Sequence, residues 1–194
     1  SCIYPKFAKQ PIKEEYLLNG ELEKTNEAYA LAKIAGLKMC EYYNSNYKTD
    51  YKVLMPTNLY GINDNYHEQN SHVIPALISK FYKAKINKKK SVKIWGSGRP
   101  KRDFMFVDDL ANACLFFMNK NLKNKFINLG SGKSFTILKI SKLIKQIINY
   151  DGKIILDFSK PNGTIDKSVD ISRAKKFGWK GCQTTLRDGL KITI

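Results

Sequence analysis

The chain has 194 residues, 43% hydrophobic and 12% aromatic, which is enough to bury a sizeable core and too apolar for a disordered chain. No apolar run is long enough to span a bilayer, and the opening Ser1–Pro5 lacks the basic-then-apolar pattern of a signal peptide, so no membrane partner is expected. A formal net charge of +17 invites nucleic acid, but the charge is almost all lysine, the arginines are only Arg99, Arg102, Arg173 and Arg187, and no nucleic-acid-binding motif accompanies it. The reading is a solvated lysine-rich surface and no nucleic-acid partner, although such a surface still attracts an anionic nucleotide. Four scattered cysteines, Cys2, Cys40, Cys114 and Cys182, form no Cys-x-x-Cys pair, and point to free thiols in a reducing cytoplasm.

Cys2-Ile-Tyr-Pro5 reads as the end of a buried strand running into a loop, where catalytic residues sit in open α/β sheets. The polar stretch 7–24 is expected to be a loop over the active site. Residues 25–43 then read as a helix, with Thr25 or Asn26 as its cap and Ala30, Leu31, Ile34, Leu37 and Tyr42 at helical spacing. Tyr29 and Lys33 are four apart and share a face. An ammonium held beside a phenol stabilises the phenolate, which makes the hydroxyl a usable acid near neutral pH. Alone, such a pair is usually two helix-surface neighbours. Ala32, Ala35 and Gly36 are small enough to let this helix lie close to another backbone or a cofactor. The helix ends near Asn44–Asn46, Tyr51–Met55 is a strand, and Pro56–Gly61 leaves it as a loop.

A polar loop over 61–71 leads to a helix at Val73–Ala84 with His72 at its start. His67 and His72 have no third partner in view, so no metal site is read. Ser91–Trp95 is a short strand and Gly96-Ser-Gly98 a turn, with Arg102 placed to meet an anion. Asp108 and Asp109 are expected to cap an apolar helix over Leu110–Met118. Phe126–Leu129 is a buried strand, and Gly130-Ser-Gly-Lys-Ser134 then imitates a phosphate-binding loop. Ile127 stands where that loop needs its first glycine, so the stretch reads as a strand-to-helix turn. A helix over Thr136–Tyr150, a strand over Lys153–Phe158, a turn-rich loop over Ser159–Thr164 and a short helix over Arg173–Trp179 complete the chain, with no internal repeats.

Six stretches in order carry a resemblance: Ser1-Cys-Ile-Tyr-Pro-Lys6, Thr25-Asn-Glu-x-Tyr-Ala-x-Ala-Lys33, Pro56-Thr-Asn-Leu-Tyr-Gly61, Asn70-Ser-His-Val-Ile-Pro-Ala76, Trp95-Gly-Ser-Gly98 and Arg102-Asp-Phe-x-x-Val-Asp-Asp-Leu-Ala111. The chain resembles the extended short-chain dehydrogenase/reductases, and within them the enzymes that epimerise and reduce GDP-4-keto-6-deoxy-D-mannose. The resemblance implies an α/β fold: the C-terminal part of a Rossmann-like parallel sheet (1–60 and 104–130) with a smaller α/β substrate-binding domain (61–103 and 131–194). The family's triad serine would precede Ser1, and its glycine-rich pyrophosphate loop does not occur in the sequence. The expectation is therefore a piece of a longer enzyme, inactive alone and a homodimer when full length.

The implied reaction is epimerisation at C3 and C5 and NADPH-dependent reduction at C4. Tyr29 and Lys33 would be catalytic, with Cys2 and His72 exchanging protons on opposite faces of the sugar. Ser1, Lys33, Pro56, Thr57, Asn58, Leu59 and His72 would contact NADP(H). Lys80, Trp95, Arg102 and Asn162 would hold the GDP-sugar substrate. A related 4-epimerase or 4,6-dehydratase shares Tyr29 and Lys33 but does not need Cys2 and His72 together.

Overall fold

Parallel strand pairs joined through helices build most of the structure. The computed structural model describes residues 1–67, 70–122 and 126–194, so part of the expected 61–71 loop and of the expected 104–130 segment lies outside the described residues. β1 (Leu54–Pro56) pairs in parallel with β5 (Ile127–Leu129). β2 (Asn58–Tyr60) pairs in parallel with β4 (Lys101–Phe106). The first half of β4 also takes β6 (Ser134–Thr136) antiparallel and β8 (Asp166–Lys167) parallel. β3 (Ser91–Trp95) pairs in parallel with β7 (Lys153–Asp157). Parallel partners need long crossovers. Here α2 (Val73–Ile86) lies between β2 and β4 in the chain, and α4 (Ile137–Ile148) between β3 and β7. The α/β class expected from the sequence is the one observed.

The described residues form two apolar cores. Ile3, Ile34, Leu37, Met105, Phe117 and Ile127 belong to the first. Ile74, Phe81, Ile94, Phe106, Ile140 and Ile144 belong to the second. In α2, Ile74, Leu77, Ile78, Phe81 and Ala84 repeat at three and four, which sets one apolar stripe against α4. α4 starts where Thr136 Oγ1 accepts the Lys139 N–H at 3.1 Å and stops at Asn149 in the left-handed region. Val169, Ile171, Ala174 and Trp179 are buried in the first core.

α1 (Glu27–Tyr47) buries a narrower stripe than its spacing suggested: Ala30, Ile34, Leu37 and Asn44. Leu31 and Tyr42 are exposed, because at about 100° per residue they sit about 100° and 120° round the helix from Ala30. The expected Asn26 cap makes no side-chain bond. Asn26 ends a 3₁₀ turn that runs into α1, and its ψ of 10 is not the extended backbone from which a cap reaches back.

The stretch 7–24 does not cover the cavity described below. Ile12 is buried beside Val169, with Ile12 N–H on the Ser168 carbonyl at 2.9 Å. Glu14 is buried too, accepting the Asn128 N–H at 3.0 Å with Arg173 Nε 3.6 Å away. A buried carboxylate needs such partners, and they pin the stretch to the first core.

Asp108 and Asp109 do not cap α3 (Val107–Met118). They lie inside its first turn, and Asp109 instead accepts the backbone N–H groups of Gln183 and Thr184 at 3.0 and 3.2 Å. The expected 173–179 helix is only α5 (Ser172–Lys176), although Trp179 is buried against Phe117 as a packing residue. β6 and a final helix, α6 (Leu186–Thr193), were not read from the sequence.

Candidate active site

A cavity of about 540 Å³ opens where the first residues, α1, the β1–β2 connection and the start of α2 meet. Ser1, Cys2, Tyr29, Lys33, Pro56, Thr57, Asn58, Leu59 and His72 all line it. These are the residues expected to be catalytic or to contact the cofactor.

Helical geometry puts Tyr29 and Lys33 one turn apart, and the Lys33 ammonium lies over the Tyr29 ring, 5.5 Å from its centroid. Tyr29 is 54% exposed, so its hydroxyl is not used up by packing. His72 precedes α2 with an extended backbone and makes no side-chain cap, which leaves its imidazole unspent by the helix start. The Ser1 nitrogen donates to the Pro56 carbonyl at 2.9 Å, fixing the Cys2 end of the wall to β1. Cys2 is half-buried, and Lys167 Nζ donates to its sulfur at 3.6 Å.

Stretch 56–59 is held from behind. The Thr57 N–H donates to the Leu129 carbonyl at 2.9 Å, and Asn58 Nδ2 to the Asp103 carbonyl at 3.0 Å. Gly130 is required there, since a Cβ on it would sit 2.5 Å from Asp103 Oδ2 and 2.9 Å from the Thr57 methyl. Thr57 Oγ1 is buried without a hydrogen-bond partner.

Asp103 is a site-supporting residue to which the sequence reading gave no role. It is fully buried and accepts from Ser131 Oγ, Ser131 N and Gly132 N at 2.5, 3.0 and 3.3 Å. Burial pushes its carboxyl up to about 6, Asp166 adds to that, and the three hydrogen bonds oppose it. Its signal in the sequence is its place between Arg102 and Phe104, within the Arg102–Ala111 stretch.

Lys80, Trp95, Arg102 and Asn162 do not line the cavity and form a second group. The ammonium groups of Lys80 and Lys160 lie 5.1 and 5.7 Å from the Trp95 ring centroid, and Trp95 is 54% exposed. Arg102 Nη1 donates to the carbonyls of Lys101 and Thr164, each at 2.7 Å. Asn162 Oδ1 accepts both the backbone N–H and the hydroxyl of Ser97. So Arg102 spends part of its hydrogen bonding on the 158–165 loop, and Asn162, a member of that loop, spends its side-chain oxygen on the turn at Ser97. Strand β8 links the two groups, because Lys167 is register partner of Arg102 and reaches Cys2. Among the described residues, no three His, Cys, Asp or Glu side chains gather to hold a metal ion.

The chain is similar to GDP-L-fucose synthase 1 of Arabidopsis thaliana, 48% identical over 193 residues, which cover 100% of this chain and 59% of the relative. It is 47% identical over 202 residues to the GDP-L-fucose synthase of Escherichia coli, covering 100% and 63%. The crystal structure of a GDP-L-fucose synthetase from Naegleria fowleri bound to NADP superposes with a TM-score of 0.93 at 29% identity, covering 99% of this chain and 62% of that one. The chain thus spans about three fifths of the length of these relatives. Residues 1–130 match the NAD dependent epimerase/dehydratase family, and the chain belongs to that family.

Proposed function

We propose that this chain carries the reacting groups of an enzyme that epimerises GDP-4-keto-6-deoxy-D-mannose at C3 and C5 and reduces it at C4 with NADPH. One observation carries the reading: Cys2, Tyr29, Lys33 and His72 line a single cavity. A plain 4-epimerase needs only the Tyr29–Lys33 pair of these four.

The residues present fit the nicotinamide and ribose end of NADPH. Thr57 supplies a buried hydroxyl with no partner in the protein, on the wall of the same cavity. Lys33, exposed beside it, has donors for a ribose hydroxyl. When bound, the cofactor supplies the hydride for C4. Protons beside a ketone are acidic because the resulting enolate places its charge on oxygen. Cys2 and His72 exchange those protons, one removing and one returning, while the Tyr29 hydroxyl supports the oxyanion. In the reduction Tyr29 donates its proton to O4, and Lys33 stabilises the phenolate left behind. The Lys80–Trp95–Lys160 group and Arg102 offer an aromatic face and positive charge to the GDP moiety.

On this reading the full-length enzyme is a cytoplasmic homodimer without nucleic-acid or membrane partners. The four unpaired cysteines of this chain suit a reducing compartment, and no described helix is long and apolar enough to cross a membrane. α1 exposes Leu31, Met39, Tyr42, Tyr43 and Tyr47, an apolar surface of the kind that interfaces cover.

The test uses a full-length enzyme containing this chain. Cys2→Ser and His72→Gln should each abolish solvent deuterium uptake at C3 and C5 of the keto sugar, while reduction of an already epimerised intermediate survives. Normal exchange in both variants removes the epimerase reading.

A further inference from the structure

We propose that Lys167 is a positioning residue for Cys2, holding the sulfur in place and countering its charge during proton exchange; the proposal rests on the function given above. Lys167 Nζ donates to Cys2 Sγ at 3.6 Å across 165 positions of sequence. Lys167 does not line the cavity, whereas Cys2 does. The ammonium therefore does not occupy the space that the sugar needs. Its backbone is fixed by β8, where it stands opposite Arg102.

The chemistry needs such a group. When Cys2 acts as the base, its thiolate takes a proton from the carbon beside the ketone. An S–H bond forms, the C–H bond breaks, and the electron pair moves onto the ketone oxygen. Before that step, the sulfur carries a full negative charge. Thiolates at functional sites are supported by adjacent cations. Lys167 is such a cation within hydrogen-bonding reach.

The other charged groups around the pair do not replace it. Glu23 is near Lys167 but is already bonded to Lys6 at 3.3 Å. Asp166, the next residue in β8, faces Arg102 and Asp103. Tyr29, Lys33 and His72 share the cavity with Cys2.

The experiment reads Cys2 directly. A full-length enzyme containing this chain, free of substrate and cofactor, is alkylated with iodoacetamide from pH 6 to 10, and modification is resolved by peptide mass spectrometry. Exposed Cys114 is the internal reference. Lys167→Met should slow Cys2 alkylation about tenfold at neutral pH relative to Cys114, and move its pH profile upward. Lys167→Arg should restore most of the rate. Lys167→Gln serves as the neutral variant if methionine disturbs the fold. An unchanged Cys2 to Cys114 ratio in the neutral variants overturns the proposal. So does a loss that arginine fails to rescue, since that marks a packing role alone. No substrate or cofactor is present, so failure here leaves the function standing, whereas normal deuterium exchange in Cys2→Ser and His72→Gln removes the function and leaves the Lys167–Cys2 pair measured.

Discussion

Asn162 and Ser97 are joined twice: one side-chain oxygen takes the Ser97 N–H at 2.7 Å and its hydroxyl at 2.8 Å. The bond fastens the 158–165 loop to the turn at Gly96, whose φ is +68 and where a Cβ would come within 2.5 Å of Asn162 Oδ1. Asn162→Ala should release the loop and raise KM for the GDP-sugar about tenfold, with kcat little changed. Asn162→Asp keeps the acceptor and should stay close to the parent. Steady-state kinetics of the full-length enzyme decide it, and an unaltered KM in the alanine variant removes the staple.

Tyr29→Phe should lower the C4 reduction rate by at least about a hundredfold, the usual scale of general acid catalysis. The phenyl ring keeps its face toward Lys33, and half the side chain is already exposed, so thermal stability should hold. Substrate affinity should change little, because the residues assigned to the nucleotide lie in the other group. Stopped-flow NADPH oxidation with a parallel melting curve separates the two effects. Full activity would show that Tyr29 only packs.

Asp103 makes stability depend on pH in an unusual direction. Its folded carboxyl is raised to about 6, above the ordinary 3.8. Between those values the folded state binds a proton that the unfolded chain has released. Stability from this group is therefore greatest below pH 3.8 and falls as pH rises through about 6, by at most about 3 kcal/mol. Other carboxyls titrate over the same range, so the comparison is with Asp103→Asn. Urea unfolding from pH 4 to 7 should show the gap between parent and variant changing over that interval and flat above it. A constant gap contradicts the raised carboxyl.

Asn44 closes the end of α1. Its amide donates to the Tyr51 carbonyl at 2.9 Å, and its oxygen accepts from Tyr51 N and Thr49 Oγ1 at 2.7 and 2.9 Å. Asn44→Ala leaves the Tyr51 backbone groups unsatisfied and should cost about 2–3 kcal/mol. Chemical denaturation measures this. A cost below about 0.5 kcal/mol would mean that water replaces the amide.

The parts of the fold that were legible are those whose side chains repeat. α2 and α4 announce their stripes, and β3 and β7 are bounded by turns, so their places follow from local pattern. β6 and β8 are two or three residues long and exist only because β4 is there to pair with. α6 does carry a local signal: Thr185 Oγ1 accepts the Asp188 N–H and donates to its carboxylate, a Thr-x-x-acid helix start. The site divides in the same way. Tyr29 and Lys33 meet by helical spacing alone. Lys167 and Cys2 meet only after β8 finds β4, and nothing in either neighbourhood of the sequence forecasts it.

The two tryptophans stand in opposite surroundings, and this gives the molecule a built-in optical gauge. Trp179 is 7% exposed in the first core, while Trp95 is open to solvent with two ammonium groups over its ring. Iodide, drawn by those cations, should quench Trp95 emission and spare Trp179. A GDP-sugar settling on the indole would displace the iodide. Occupancy of the nucleotide group could then be followed by light alone, without turnover, cofactor or an attached dye.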